Sequence, residues 1–161
     1  MDRPRDGDWL EEEIQAWRRS DVAVVVSLLT PDEHVELNLV EEGNLCRANG
    51  IEFISFPIID RSVPASMEVF FDLATALAER LDGGKKIAIH CRQSIGRVGL
   101  TAICLLVMSG VEQDAAIASV GGARGCSVPE TPNTADGSRP SRIRWRSGLG
   151  SRLNPESAIR W

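Results

Sequence analysis

The feature that most constrains the fold is a continuous apolar run from Val22 to Leu29. It contains four valines and one polar residue, Ser27. A β-branched run without polar alternation is typical of a strand that is buried on both faces. Such a strand needs helices on both sides of its sheet. The run therefore predicts a central parallel strand.

Helical patterns separate this run from other short strand patterns. We predict helices over about 9–19, 41–48, 66–81, 100–108 and 112–120, and further strands over 51–58 and 86–90. After the first strand, Thr30-Pro31-Asp32-Glu33 supplies an N-cap, a proline at the first helical position and a glutamate that closes a capping box. Strands that alternate with helices predict an α/β fold with a largely parallel central sheet flanked by helices.

The length of 161 residues fits one domain, and no apolar run reaches the ~18 residues of a membrane span. The first residues lack the apolar core of a secretory signal. We therefore expect a reducing, cytoplasmic location with free thiols. None of the four cysteines has C-x-x-C spacing, so a zinc site is not expected.

Charge is divided unevenly along the chain. Residues 1–133 carry a net charge of −9, whereas residues 134–161 carry +4 and all their basic residues are arginines. An acidic body argues against nucleic-acid binding, which needs a basic surface. The apolar periodicity also stops after Pro132. We predict a folded domain over 1–133 and an Arg-rich, flexible tail over 134–161.

The chemically informative segment runs from His90 to Arg97, between a buried strand and an apolar helix. A loop in this position directs backbone N–H groups and the positive end of the helix dipole at one point, where a phosphate can bind. The Arg97 guanidinium can bind two phosphate oxygens. The same field stabilises a thiolate at Cys91, which would then be a nucleophile. The predicted phosphate-binding residues are Arg92, Gln93, Ser94, Ile95, Gly96 and Arg97.

A phosphate ester also needs a proton for its leaving oxygen, and Asp60 is the candidate general acid. It follows the strand predicted over 51–58, so we expect it at the same sheet edge as Cys91. The competing interpretation is that Asp60 is a loop aspartate without a catalytic role.

The two arginines near these residues, Arg61 and Arg92, either form a rim that binds acidic substrates or are solvated charges. We predict that His90 orients the loop.

These residues resemble the cysteine-dependent protein tyrosine phosphatase superfamily, and specifically its compact dual-specificity type. His90-Cys91-x5-Arg97 matches the signature loop, and Asp60 lies 31 residues before Cys91, where that family keeps its general acid. The resemblance covers about 9–133. It implies a phosphocysteine intermediate without a metal or other cofactor. It also implies hydrolysis of phosphotyrosine, and of phosphoserine or phosphothreonine, on proteins or small phosphate esters. From charge and hydropathy we expect no nucleic-acid or membrane partner.

The sequence departs from the family pattern at three places. Val98 replaces the hydroxyl residue that usually follows the arginine, Ser94 replaces the commonest loop glycine, and no glutamine follows Thr131. A phosphate-binding pseudophosphatase with little turnover is therefore the alternative. A sulfur-transfer protein of the rhodanese type also uses a cysteine in an anion-binding loop, but the spacing of Asp60 argues against it.

Overall fold

The computed structural model describes residues 3–124 and the strand residues 159–160. A short 3₁₀ turn, Gly7–Trp9, leads into the first helix. The helices are α1 (Leu10–Arg19), α2 (Pro31–Glu36), α3 (Glu42–Ala48), α4 (Met67–Asp82), α5 (Gly96–Met108) and α6 (Gln113–Arg124). The strands are β1 (Val22–Ser27), β2 (Glu52–Ser55), β3 (Lys86–His90) and β4 (Ile159–Arg160). The predicted boundary at residue 133 and the rest of the tail lie outside the described residues.

The strands form one sheet in the order β2-β1-β3-β4, and all neighbouring strands are parallel. The central strand β1 pairs Ser27 with Ser55 of β2 on one side and with His90 of β3 on the other. The predicted α/β architecture with a largely parallel, helix-flanked sheet is confirmed.

The two faces of β1 belong to different core clusters. Val24 and Val26 pack with apolar residues of α4 and α5, such as Leu77 and Leu105. Val25 points to the opposite face and packs with α1 and α3. This double burial explains the uninterrupted valine run. A third cluster joins α6 to the outer side of α5.

The second strand is shorter than predicted, because it ends at Ser55 rather than at residue 58. The chain nevertheless stays beside the end of β1. The N–H of Phe56 donates to the Ser27 carbonyl at 2.9 Å, and the N–H of Ile58 donates to the Leu28 carbonyl at 3.2 Å. Pro57 has no N–H and interrupts the ladder. This extension carries Asp60 to the edge of the sheet where β1 and β3 end.

The helix starts agree with the capping signals. The Thr30 hydroxyl and the Glu33 side chain form the predicted capping box at α2, and the Ser66 hydroxyl caps α4. Within residues 3–124, no helix combines the length and the apolar character that crossing a membrane would require.

Candidate active site

A cavity of about 230 Å³ opens beside the carboxyl ends of β1 and β3. It is the position where open α/β sheets commonly bind ligands. Seven of the eight predicted site residues line it, and the exception is Ser94. The lining residues are Asp60, Arg61, Ser62, Val63, Cys91, Arg92, Gln93, Ile95, Gly96, Arg97 and Leu100.

The loop between β3 and α5 leaves a helix N-terminus open towards the cavity. Ile95 occupies the N-cap position, and its side chain makes no capping hydrogen bond. A Cβ atom added to Gly96 would meet no atom within 4 Å, so space lies in front of the first turn. The N–H groups of a first helical turn and the helix dipole favour an anion at this point.

Two loops beside the cavity contain a non-glycine residue in the left-handed region. Ser94 has φ 55° and Arg61 has φ 55°. This conformation is unfavourable for residues other than glycine. Ser94 lies at the loop position where the family that this sequence resembles most often has glycine. Its side chain is only 2% exposed. The backbone conformation therefore explains why glycine would suit position 94.

Arg97 is 3% exposed and is held by oxygen atoms on several sides. Its Nη1 and Nη2 donate to the two Glu33 oxygens at 2.6 and 2.8 Å, and Nη1 also donates to the carbonyls of Ile58 at 2.9 Å and Leu28 at 3.2 Å. The sequence predicts that this guanidinium binds two phosphate oxygens, and in the structure its two terminal nitrogens bind Glu33. Among the described residues, no atom accepts a hydrogen bond from the buried Nε. Nε therefore remains able to donate to a ligand.

Sequence reasoning missed Glu33, which it treated only as a capping residue. Its Oε2 accepts from the N–H of Thr30 at 2.9 Å and from Arg97 at 2.6 Å. The hydrogen bond from Arg97 holds the pKa of the Glu33 carboxyl below its ordinary value. No spacing rule links these two residues, because only the sheet topology brings them together.

Cys91 and Asp60 meet at the same cavity. Cys91 is 3% exposed, whereas the Asp60 side chain is 62% exposed and its Oδ1 lies 3.4 Å from Nη2 of Arg97. Burial raises the pKa of Cys46 to about 12 and that of Cys104 to about 11, so both remain thiols at neutral pH. Neither of them lines the cavity. Of the three cysteines that the structure describes, Cys91 is therefore the one whose position suits chemistry.

The two remaining arginines at the cavity differ in their partners. Arg92 donates from Nη1 and Nη2 to both Glu36 oxygens at 2.6 Å. Within residues 3–124, Arg61 has no ion-pair partner. Arg92 therefore lines the cavity as an ion-paired residue, and its role towards acidic substrates stays a prediction.

A buried polar cluster lies behind the loop. Nε2 of His90 is 2.7 Å from Oε1 of Glu42, and both side chains are fully buried. The sequence favours a solvated His34, but this is wrong: its side chain is 14% exposed, and Nε2 lies 3.1 Å from Oγ of Ser27 and 3.7 Å from Glu42. Within the described part of the chain, no three His, Cys, Asp or Glu side chains are grouped so that they could hold a metal ion.

Comparisons with known proteins agree with this arrangement. Residues 1–111 match a family model described as "Polymorphic toxin system, DSP-PTPase phosphatase". A curated protein of Invertebrate iridescent virus 3, named as tyrosine phosphatase 067L, is 33% identical over 101 residues, which are 61% of this chain. The chain spans only 39% of that relative's length.

Two solved structures show the same fold. The phosphatase Tk-PTP in its active form is 27% identical, with a TM-score of 0.65, over 79% of this chain and 80% of that one. Kinase associated phosphatase, crystallised with its catalytic-site cysteine changed to serine, is 20% identical, with a TM-score of 0.67, over 73% and 68% of the two chains.

The family match covers more than half of the chain. It includes the whole segment from β1 through the loop with Cys91 to the end of α5. The chain therefore belongs to the DSP-PTPase phosphatases of polymorphic toxin systems.

Proposed function

We propose that this chain hydrolyses phosphate monoesters on proteins through a phosphocysteine intermediate at Cys91. The observation that carries the proposal is the buried Arg97, which lines the same cavity as Cys91 and Asp60 and whose Nε has no partner among the described residues. A phosphate that binds the open turn of α5 and Nε would sit between a thiolate and a carboxyl group. This arrangement supports phosphoryl transfer better than phosphate binding with little turnover.

In the first step, the Cys91 thiolate attacks phosphorus, so an S–P bond forms and the ester P–O bond breaks. The leaving oxygen takes a proton from Asp60, the general acid. The N–H groups of the loop from Arg92 to Arg97, together with the Arg97 guanidinium, stabilise the charge on the phosphoryl oxygens.

In the second step, the Asp60 carboxylate takes a proton from water, whose oxygen attacks phosphorus. The S–P bond breaks, inorganic phosphate leaves and the Cys91 thiolate is restored. Both steps need a reduced Cys91, which fits our expectation of a cytoplasmic location. The described cysteines Cys46, Cys91 and Cys104 are free.

The cavity walls support an aryl phosphate as the preferred substrate. Ile95, Val63 and Leu100 contribute apolar surface beside the polar loop residues. An aromatic ring gains from contact with such surface, whereas a phosphoserine side chain offers little apolar area. We propose phosphotyrosine as the main target, with phosphoserine and phosphothreonine as slower ones.

The Asp60→Asn variant tests the proposed general acid. We expect about a hundredfold loss of kcat with phosphoserine peptides and a much smaller loss with para-nitrophenyl phosphate, because a good leaving group needs less protonation. Steady-state rates with both substrates check this. An equal loss for both would mean that Asp60 only shapes its loop.

The wild-type assay also separates the alternatives. Turnover of para-nitrophenyl phosphate supports an enzyme, whereas tight phosphate binding without turnover supports a pseudophosphatase. Conversion of thiosulfate and cyanide in a parallel assay would instead support sulfur transfer.

A further inference from the structure

The short helix α2 holds both arginines of the phosphate-binding loop. Glu33 pairs with Arg97, and Glu36, three residues later, pairs with Arg92. Residues at this spacing share one face of a helix. The Glu36 pair has fork geometry, since both oxygens accept from Arg92 at 2.6 Å. The helix thus presents two carboxylates to the loop.

These pairs balance the charge around the cavity. The three arginines that line it, Arg61, Arg92 and Arg97, stand against three carboxylates, Asp60, Glu33 and Glu36. One phosphate can still use the open turn of α5 and the unpartnered Nε of Arg97. The terminal nitrogens of Arg92 are already bound to Glu36, so they are not free to bind a second phosphate nearby. The negative charge of Glu36 would also repel that phosphate.

We propose that Glu36 is a specificity-determining residue that selects singly phosphorylated protein segments. Glu36 binds both terminal nitrogens of Arg92. The guanidinium is therefore not available to a second phosphate beside the one that reacts. This inference rests on the proposed function and narrows its substrate class. The observation that carries it is the two-pronged pair between Glu36 and Arg92, of which Arg92 lines the cavity.

Two peptides of the same sequence test the role of Glu36. Both contain phosphotyrosine, and one also carries phosphoserine at the adjacent position. Dephosphorylation of the phosphotyrosine is followed by the fluorescence of the tyrosine residue that it leaves in the peptide. We expect Glu36→Gln to raise kcat/KM for the doubly phosphorylated peptide about three- to tenfold, and to change kcat/KM for the other peptide less than about twofold. The gain should shrink at high salt.

The matched control is Glu52→Gln. Glu52 forms the same kind of fork with Arg80, at 2.6 and 3.1 Å, and neither residue lines the cavity. This control should leave the ratio of the two kcat/KM values unchanged. In an Arg92→Gln background, Glu36→Gln cannot release a guanidinium. It should therefore lose the gain in kcat/KM for the doubly phosphorylated peptide that depends on Arg92.

If the Glu36→Gln protein is active and keeps the wild-type ratio of the two kcat/KM values, this inference is wrong and the proposed function is unaffected. The same gain in Glu52→Gln would also overturn the inference, because the effect would then follow net charge. If the wild type dephosphorylates the phosphotyrosine of neither peptide, the proposed function fails and the inference fails with it.

Discussion

Arg97 shows how a single residue can be positioned before its ligand arrives. The Glu33 carboxylate and two backbone carbonyls fix the guanidinium, and Nε, without a partner among the described residues, is the atom that we propose for the phosphate. A group that is already held in place loses little entropy when it binds. The same contacts make Arg97 part of the core, because they join α5 to α2 and to the segment that carries Asp60.

Val98 tests whether the breakdown of the intermediate is the slow step. Its side chain is fully buried in the cluster that contains Cys91, and it cannot donate a hydrogen bond. We expect a burst of product and then a slow steady state. Val98→Ser should raise the steady-state rate about ten- to a hundredfold, because one hydroxyl contact to the departing thiolate is worth roughly 1–3 kcal/mol.

Val98→Ala is the control in rapid-mixing kinetics, because it removes the same packing without adding a hydroxyl. If the serine and alanine variants behave alike, or if the wild type shows no burst, Val98 acts only as a core residue.

The short helices α2 and α3 contribute buried polar side chains that pack behind the loop between β3 and α5. Glu42 at the start of α3 lies between His34 of α2 and His90 of β3. Burial alone would raise the pKa of the Glu42 carboxyl, but the two histidines hold it below its ordinary value. Contact with Glu42 raises the pKa of His34. The protonated histidine and the carboxylate therefore stabilise each other.

This cluster predicts a pH dependence of stability. Because the pKa of His34 is raised on folding, its contribution is complete below the unfolded value of about 6.5 and is lost as pH rises through the folded value. Urea unfolding from pH 6 to pH 9 should show this loss. Glu42→Gln should lower the free energy of unfolding by about 1–3 kcal/mol at pH 6 and flatten the pH dependence.

Glu41→Gln is the matched control, since Glu41 is exposed and accepts a hydrogen bond from Asn44. It should leave the slope of stability against pH as in the wild type. A Glu42→Gln protein with the wild-type slope would show that the cluster does not set this dependence.

The elements that could be predicted from the sequence are those with local signals. The valine run, the capping box at Thr30 and the apolar face of α4 indicate their elements directly. The partners of Arg92, Arg97 and His90 could not be predicted, because glutamates at any exposed helix position look alike in sequence. Parallel strand order, which is not local, decides which glutamate reaches the loop.

At the scale of the whole molecule, the cavity exists because parallel strands end at one edge. The loop after β3 supplies Cys91, the extension after β2 supplies Asp60, and α2 after β1 supplies Glu33. Helices on both sides keep this edge rigid through two separate core clusters. We propose that residues 1–133 form the phosphatase domain, and the strand Ile159–Arg160 pairs with β3 at its free edge.

The most direct test of the account is the mass of the intact protein after rapid acid quenching during turnover of para-nitrophenyl phosphate. The wild type should gain one phosphoryl group, and peptide mapping should locate it on Cys91. Cys91→Ser should gain none and should lose turnover, while it still binds phosphate. Phosphoryl transfer to another residue, or Cys91→Ser turnover within about tenfold of the wild type, would contradict the assignment of Cys91 as the nucleophile.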